Sequence, residues 1–276
     1  MLPTIFLSHG APTLALEDVP ARRFLRETAG VLDRPSAILV ASAHWESQAP
    51  VVSAMASNTT IHDFGRGFPR ALFDMRYDAP GAPALAERVV DLLAGAGLPA
   101  RTDARRGLDH GAWIPLSQIW PDADIPVLQL SIQPQLGPAH HLELGRALAP
   151  LRAEGVLVIG SGSFTHNLEE FFGQAPAAPE PDWVAAFADW TDAALLEDRR
   201  SDLLLYRHKA PFAVENHPTD EHLLPLYVAL GAAGEDARAH RLHRSATYGV
   251  LRMDAYAFGL PTPPNAAVSE RHVAYP

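Results

Sequence analysis

The sequence predicts a single α/β domain: a mostly parallel central sheet flanked by helices, with a site at the carboxyl ends of the strands. Three observations predict it. Short apolar, β-branched runs recur, of the kind buried on both faces of a parallel sheet: Thr4-Ile5-Phe6-Leu7-Ser8, Ala37-Ile38-Leu39-Val40-Ala41 and Val156-Leu157-Val158-Ile159-Gly160. Segments with helical spacing alternate with such runs from residue 4 to residue 160, the order of a doubly wound sheet. Each of the three runs also delivers a histidine where it stops: His9, His44 and, through a Ser/Gly turn, His166. Ligands of open α/β sheets sit in the crevice outside the strand ends, so these histidines point to one site.

In chain order, Gly10-Ala11-Pro12 turns the backbone after the first strand, and Val19 to Leu32 carries helical spacing. The second strand brings His44, and Pro50 to Ala56 reads as a further strand. Thr59 to Asp78 is too rich in Gly and Pro around Asp63-Phe64-Gly65-Arg66-Gly67-Phe68-Pro69 for a regular element, and a long loop with aromatics beside a site suits a lid. Pro83 to Ala96 is an amphipathic helix with Pro at its start and Gly at its end. A loop holding His110 leads into a short helix from Ile114 to Trp120, then a strand from Ile125 to Ile132 and a helix from Ala139 to Ala153. Gly173 to Pro181 reads as a spacer, and Asp182 to Leu196 as a helix capped by Asp182. Asn216 to His222 reads as a cap with His222 in the first turn of the apolar helix Leu223 to Ala233, and Ser245 to Ala257 as a closing strand. The domain is expected to span residues 1–260, with 261–276 a poorly ordered tail.

Composition narrows the function. Hydrophobic residues make up 47% and charged residues 20%, ordinary globular usage, and no apolar run is long enough for a bilayer. The first residues lack a basic segment and their apolar run is broken by His9, so a cytoplasmic protein is expected. A formal net charge of −10 argues against a nucleic-acid partner. The absence of cysteine excludes thiolate nucleophiles, iron–sulfur clusters and Cys-ligated zinc, which leaves His, Asp and Glu for any metal. Oligomeric state is not legible.

Of the 13 histidines, His140, His141, His240, His243 and His272 lie in polar, helix-surface or tail contexts and receive no role, while His208 and His217 are ambiguous. His9 and His44 are each flanked by small residues, Ser8-His9-Gly10 and Ser42-Ala43-His44, which leave room for an ion; taken singly, either suits a buried imidazole bound to a carbonyl. Imidazole favours zinc, iron, copper or nickel over magnesium or calcium. Glu215 and Glu221 stand near His222, as a carboxylate ligand or as a partner for an imidazole's second nitrogen. Ser161-Gly162-Ser163-Phe164-Thr165-His166 also allows a phosphate turn or a Ser-His pair, but it has neither the Walker lysine nor a Gly-x-Ser-x-Gly elbow.

Six segments together, Ser8-His9-Gly10-Ala11-Pro12, Ser42-Ala43-His44-Trp45, Ile61-His62-Asp63-Phe64, Leu108-Asp109-His110-Gly111, Thr165-His166-Asn167-Leu168 and Pro218-Thr219-Asp220-Glu221-His222, resemble the 4,5-DOPA extradiol dioxygenase branch of the class III extradiol ring-cleavage dioxygenases. The resemblance runs in order from about residue 4 to about residue 257. It implies one α/β domain and one non-haem metal, iron(II) for activity or zinc as isolated, with a small aromatic diol and O2 as substrates. It also implies His9, His44 and His222 as metal ligands, His166 as catalytic base or fourth ligand, and His110 as a contact to substrate or oxygen. The related protocatechuate branch closes its metal triad with Glu, where this chain offers His222 beside Glu221. Trp45, Phe64 and Phe68 are expected to wall the substrate. Two alternatives from other classes are a zinc-dependent hydrolase on the same histidines and a non-enzymatic metal-binding or interaction protein of the same fold.

Overall fold

The computed structural model describes residues 1–30 and 32–260. Its strands are β1 (Thr4–Ser8), β2 (Ala37–Glu46), β3 (Val51–Ser53), β4 (Arg101–Asp103), β5 (Val127–Ile132), β6 (Val156–Gly162), β7 (Ala239–His243), β8 (Ala246–Thr247), β9 (Leu251–Arg252) and β10 (Ala255–Phe258). Eight of them form one sheet in the order β4-β3-β5-β2-β6-β1-β10-β7, while β8 and β9 make a separate hairpin. The centre, β5-β2-β6-β1, is parallel throughout. Both flanks reverse, because β3 runs antiparallel to β5 and β10 antiparallel to β1. The order places β2, β6 and β1 side by side, so their three carboxyl ends share one edge of the crevice.

Alternation along each strand divides the core between two faces. Ile5, Leu7, Ile38, Val40, Leu157 and Ile159 pack beneath the helices Pro20–Thr28 and His110–Ile119. Phe6, Leu39, Ala41, Val156 and Val158 pack on the other side. That side carries the helices Pro83–Gly95, Gly137–Leu148, Asp182–Leu196 and Leu224–Ala233. Every residue of Leu224–Ala233 is buried, as an all-apolar helix requires. Burying each of Leu224, Leu226 and Val228 stabilises the fold by about 2 kcal/mol.

Several expectations need correction. His110 is not in a loop but opens a helix, with Pro115 tolerated inside it. Asp182 is the first helical residue and makes no capping bond from its side chain, so it acts only through its charge near the helix N-terminus. His222 lies in a turn just before its helix rather than within it. The stretch from Ser245 to Ala257 is a hairpin followed by β10, broken at Tyr248 and Gly249, both of which have positive φ. His141 is buried, its Nδ1 2.7 Å from the Gly137 carbonyl and its Nε2 accepting from the backbone of Gln133. The strands β4 and β7 and the short helices between residues 200 and 216 carry too little periodicity to be read from sequence. The expected tail, 261–276, lies outside the described residues.

Candidate functional site

Three backbone hydrogen bonds set the histidines at the strand ends. His9 N–H donates to the Gly162 carbonyl at 2.9 Å, Ser163 N–H donates to the His222 carbonyl at 2.8 Å, and His166 N–H donates to the Asn216 carbonyl at 2.9 Å. Gly160 and Gly162 make the second of these feasible. A Cβ on Gly162 would stand 2.0 Å from the His222 carbonyl oxygen, and one on Gly160 2.0 Å from that of Pro225. Their missing side chains let the His222 turn and the helix after it lie directly on β6.

The imidazoles then converge. His44 Nε2 lies 2.9 Å from His9 Nε2 and 3.3 Å from His222 Nε2. Candidate ligand atoms gather in two trios, each within 4.8 Å: His9, His44 and His110, and His166, Glu221 and His222. Partners on the far ring nitrogens fix the proton positions. Ser161 gives its only hydroxyl proton to the Gly111 carbonyl, so at 3.0 Å it accepts from His9 Nδ1. Glu221 Oε1, 2.8 Å away, accepts from His222 Nδ1. His44 Nδ1 lies 3.8 Å from the Asp63 carboxylate, the side on which a proton is favoured. Each Nε2 is therefore left as a lone pair aimed at the others, an arrangement that repels unless a cation sits among them. Burial, followed by the neighbouring histidines, holds His9 and His222 well below the ordinary imidazole range, in the neutral form a metal needs. Metal–nitrogen bonds of about 2.0–2.1 Å place cis ligands roughly 3 Å apart, so the spacing fits a transition-metal ion.

His166 stacks face to face on His222, with centroids 3.4 Å apart and planes 9° from parallel. Burial first, and His217 next, push it down to about 3, so the near-neutral value expected for an untuned histidine does not hold in this setting. His110 approaches His44 at 3.9 Å between centroids. Its Nδ1 lies 3.0 Å from Asp63 Oδ1, off the best hydrogen-bonding line, and the same oxygen accepts its backbone N–H at 2.9 Å. Asp63 thus satisfies the open N-terminus of the helix from outside it, a role for which the sequence offered only its place beside His62.

Beneath His110 lies a fully buried carboxylate, Asp109. It accepts from Ser42 Oγ at 2.7 Å, Gln129 Nε2 at 2.6 Å and Arg106 Nη2 at 2.8 Å. Arg106 also donates to the His44 carbonyl at 3.2 Å. These four polar residues tie β2, β5 and the helix together; Ser42 and Asp109 stand in the quoted motifs, but no sequence pattern announced their contact or the parts of Gln129 and Arg106.

The cluster floors a cavity of about 500 Å³. Phe64 and Phe68 line it as expected, joined by Leu168 and by Phe171 and Phe172, the last two of which the sequence did not single out. Trp45 does not line it: the Arg106 guanidinium covers its ring at 5.0 Å. Ser161, engaged with Gly111 and His9, is not free to act as a nucleophile. Among the described residues no helix is long and apolar enough to cross a membrane.

Residues 3–259 match the family described as the catalytic LigB subunit of aromatic ring-opening dioxygenase. The chain is 47% identical over 260 residues to a 4,5-DOPA dioxygenase extradiol of Beta vulgaris, covering 92% of this chain and 96% of the relative. It is 43% identical over 235 residues to the protein of that name from Escherichia coli K12, covering 84% and 85%. A crystal structure of an uncharacterized Escherichia coli K12 protein superposes with a TM-score of 0.79 at 36% identity, covering 94% of this chain and all of that one. Strand order, converging imidazoles and these likenesses agree, and the chain belongs to the aromatic ring-opening dioxygenases of the LigB family, in their extradiol branch.

Proposed function

We propose that the protein adds both atoms of O2 to a catechol-type, DOPA-like substrate and opens the ring beside, rather than between, its two hydroxyls. Iron(II) is the active metal, held by His9, His44 and His222. The observation that carries this is the meeting of three imidazole lone pairs at the floor of an aromatic-lined cavity. When bound, the ferrous ion supplies electron exchange with O2 and two positive charges that favour a catecholate.

The remaining work falls to the chain. His166, facing the cavity, accepts a proton from a substrate hydroxyl. It acts as base rather than fourth ligand, its ring lying flat against that of His222 with centroids 3.4 Å apart. His110, as an imidazolium set against Asp63 at Nδ1, donates from Nε2 to the anionic oxygen that develops on the ring. Phe64, Phe68 and Phe171 exclude water and hold the ring. A cytoplasmic setting belongs to the same proposal, since a reducing compartment keeps the iron ferrous.

The test is O2 uptake by an anaerobically iron-loaded sample given 4-ethylcatechol. One O2 per ring and a yellow semialdehyde-type product are expected, and the zinc-loaded protein, whose metal cannot exchange electrons, should be silent. Ester or amide cleavage by the zinc form without O2 uptake by the iron form would replace this function with hydrolysis.

A further inference from the structure

The charge of the cavity wall bears on which catechol enters, an inference that rests on the ring-opening function above. Two carboxylates line the cavity, Glu46 at the end of β2 and Glu221 beside His222. Among the described residues no lysine or arginine lines it. The cations nearby are engaged elsewhere. Arg106 lies behind His44, held by Asp109 and the His44 carbonyl. Arg207, across a shallow groove that Glu46 and Glu221 also border, pairs with Asp220 and donates to the His217 carbonyl at 3.0 Å.

The two carboxylates differ in what they have to spare. Glu221 gives one oxygen to His222 Nδ1. Glu46, exposed at the end of β2, has no ion-pair or hydrogen-bond partner among the described residues. A metal at the histidines would answer the charge of a catecholate, but not that of a group at the far end of the substrate. An ammonium there meets two carboxylates and relieves their mutual repulsion, whereas a carboxylate there meets only like charge.

We propose that this cavity selects catechols whose side chain ends in an ammonium group, and that Glu46 is the residue that reads that charge. A carboxylate on the same side chain gains nothing from the wall and is tolerated only where it points to solvent. The remainder of the lining, Phe64, Phe68, Phe171 and Leu251 among it, is apolar and suits the ring and a short methylene link.

The experiment compares 4-(2-aminoethyl)catechol, 4-ethylcatechol and 3-(3,4-dihydroxyphenyl)propanoate as substrates of the iron-loaded enzyme at low ionic strength. The amine should exceed the acid by about tenfold or more in kcat/KM, and added salt should narrow the gap. Glu46→Gln should reduce the amine-to-acid ratio to about threefold, with the change chiefly in KM. Anaerobic calorimetric titration of the metal-loaded protein should rank the three catechols in the same order. An acid that equals or beats the amine, or a ratio that Glu46→Gln leaves untouched, overturns the proposal. Failure of all three catechols to consume O2 would instead remove the ring-opening function, and the titrations would still decide whether the wall favours the cation.

Discussion

His222 and His110 reach the same cavity from opposite faces of the sheet, and they are held in different ways. His222 is placed by backbone: its carbonyl accepts from Ser163, and the glycines of β6 let its turn lie flat on the strand. His110 is placed by side chains, with Asp63 at its amide and ring and Asp109 at the centre of a buried polar network. Backbone contacts of this kind persist whatever the neighbouring side chains are, provided no Cβ intrudes. Side-chain contacts are lost one substitution at a time. The wall that carries His222 is therefore built into the fold, and the wall that carries His110 is adjustable.

The sharpest way to break the contrast is His222→Ala. It should remove most of the bound metal and with it nearly all turnover, as read by metal analysis beside O2 uptake; full occupancy would exclude His222 as a ligand. Gly162→Ala attacks the same wall through the backbone. Its Cβ has no room against the His222 carbonyl, and a loss of about 3 kcal/mol is expected in urea unfolding, with metal affinity falling too.

Next in size, His166→Ala should lower kcat by about two to four orders of magnitude while metal is retained. Loss of metal equal to that in His44→Ala would make His166 a ligand instead.

On the adjustable wall, Asp63→Ala should cost about ten- to a hundredfold in kcat with metal kept, and roughly 1 kcal/mol of stability from the uncapped helix. A variant that loses iron as fully as His222→Ala would show that the two walls are not separable.

The last expected effect lies away from the site. Burial holds His141 down to about 4, against 6.5 for a free imidazole. Below pH 6.5 the unfolded chain therefore takes up a proton that the folded chain does not. Stability is full above that pH and falls toward pH 4 by roughly 3 kcal/mol. His141→Gln should flatten this part of the profile, measured by urea unfolding at pH 7 and pH 4.5, without altering the difference between the walls. An unchanged slope would mean that other buried histidines, His217 among them, dominate acid loss.

Local sequence determined the parts that repeat along the chain. The apolar runs of β1, β2 and β6 are buried on both faces, so their composition alone announces parallel strands, and each stops at the residue that leads to the site. The all-apolar stretch Leu224–Ala233 likewise announces a buried helix. Family motifs named His9, His44, His110, His166 and His222, and those five imidazoles do meet at one cavity. The tertiary structure alone decided the rest. Asp63 approaches His110 across 47 residues and Ser42 reaches Asp109 across 67, and neither contact has a local period to reveal it. Trp45 sits beside His44 in sequence yet turns toward Arg106, because alternate residues of a strand face opposite ways. The depressed protonation of His166 follows from burial and from the histidines packed around it, quantities that exist only once the chain has folded.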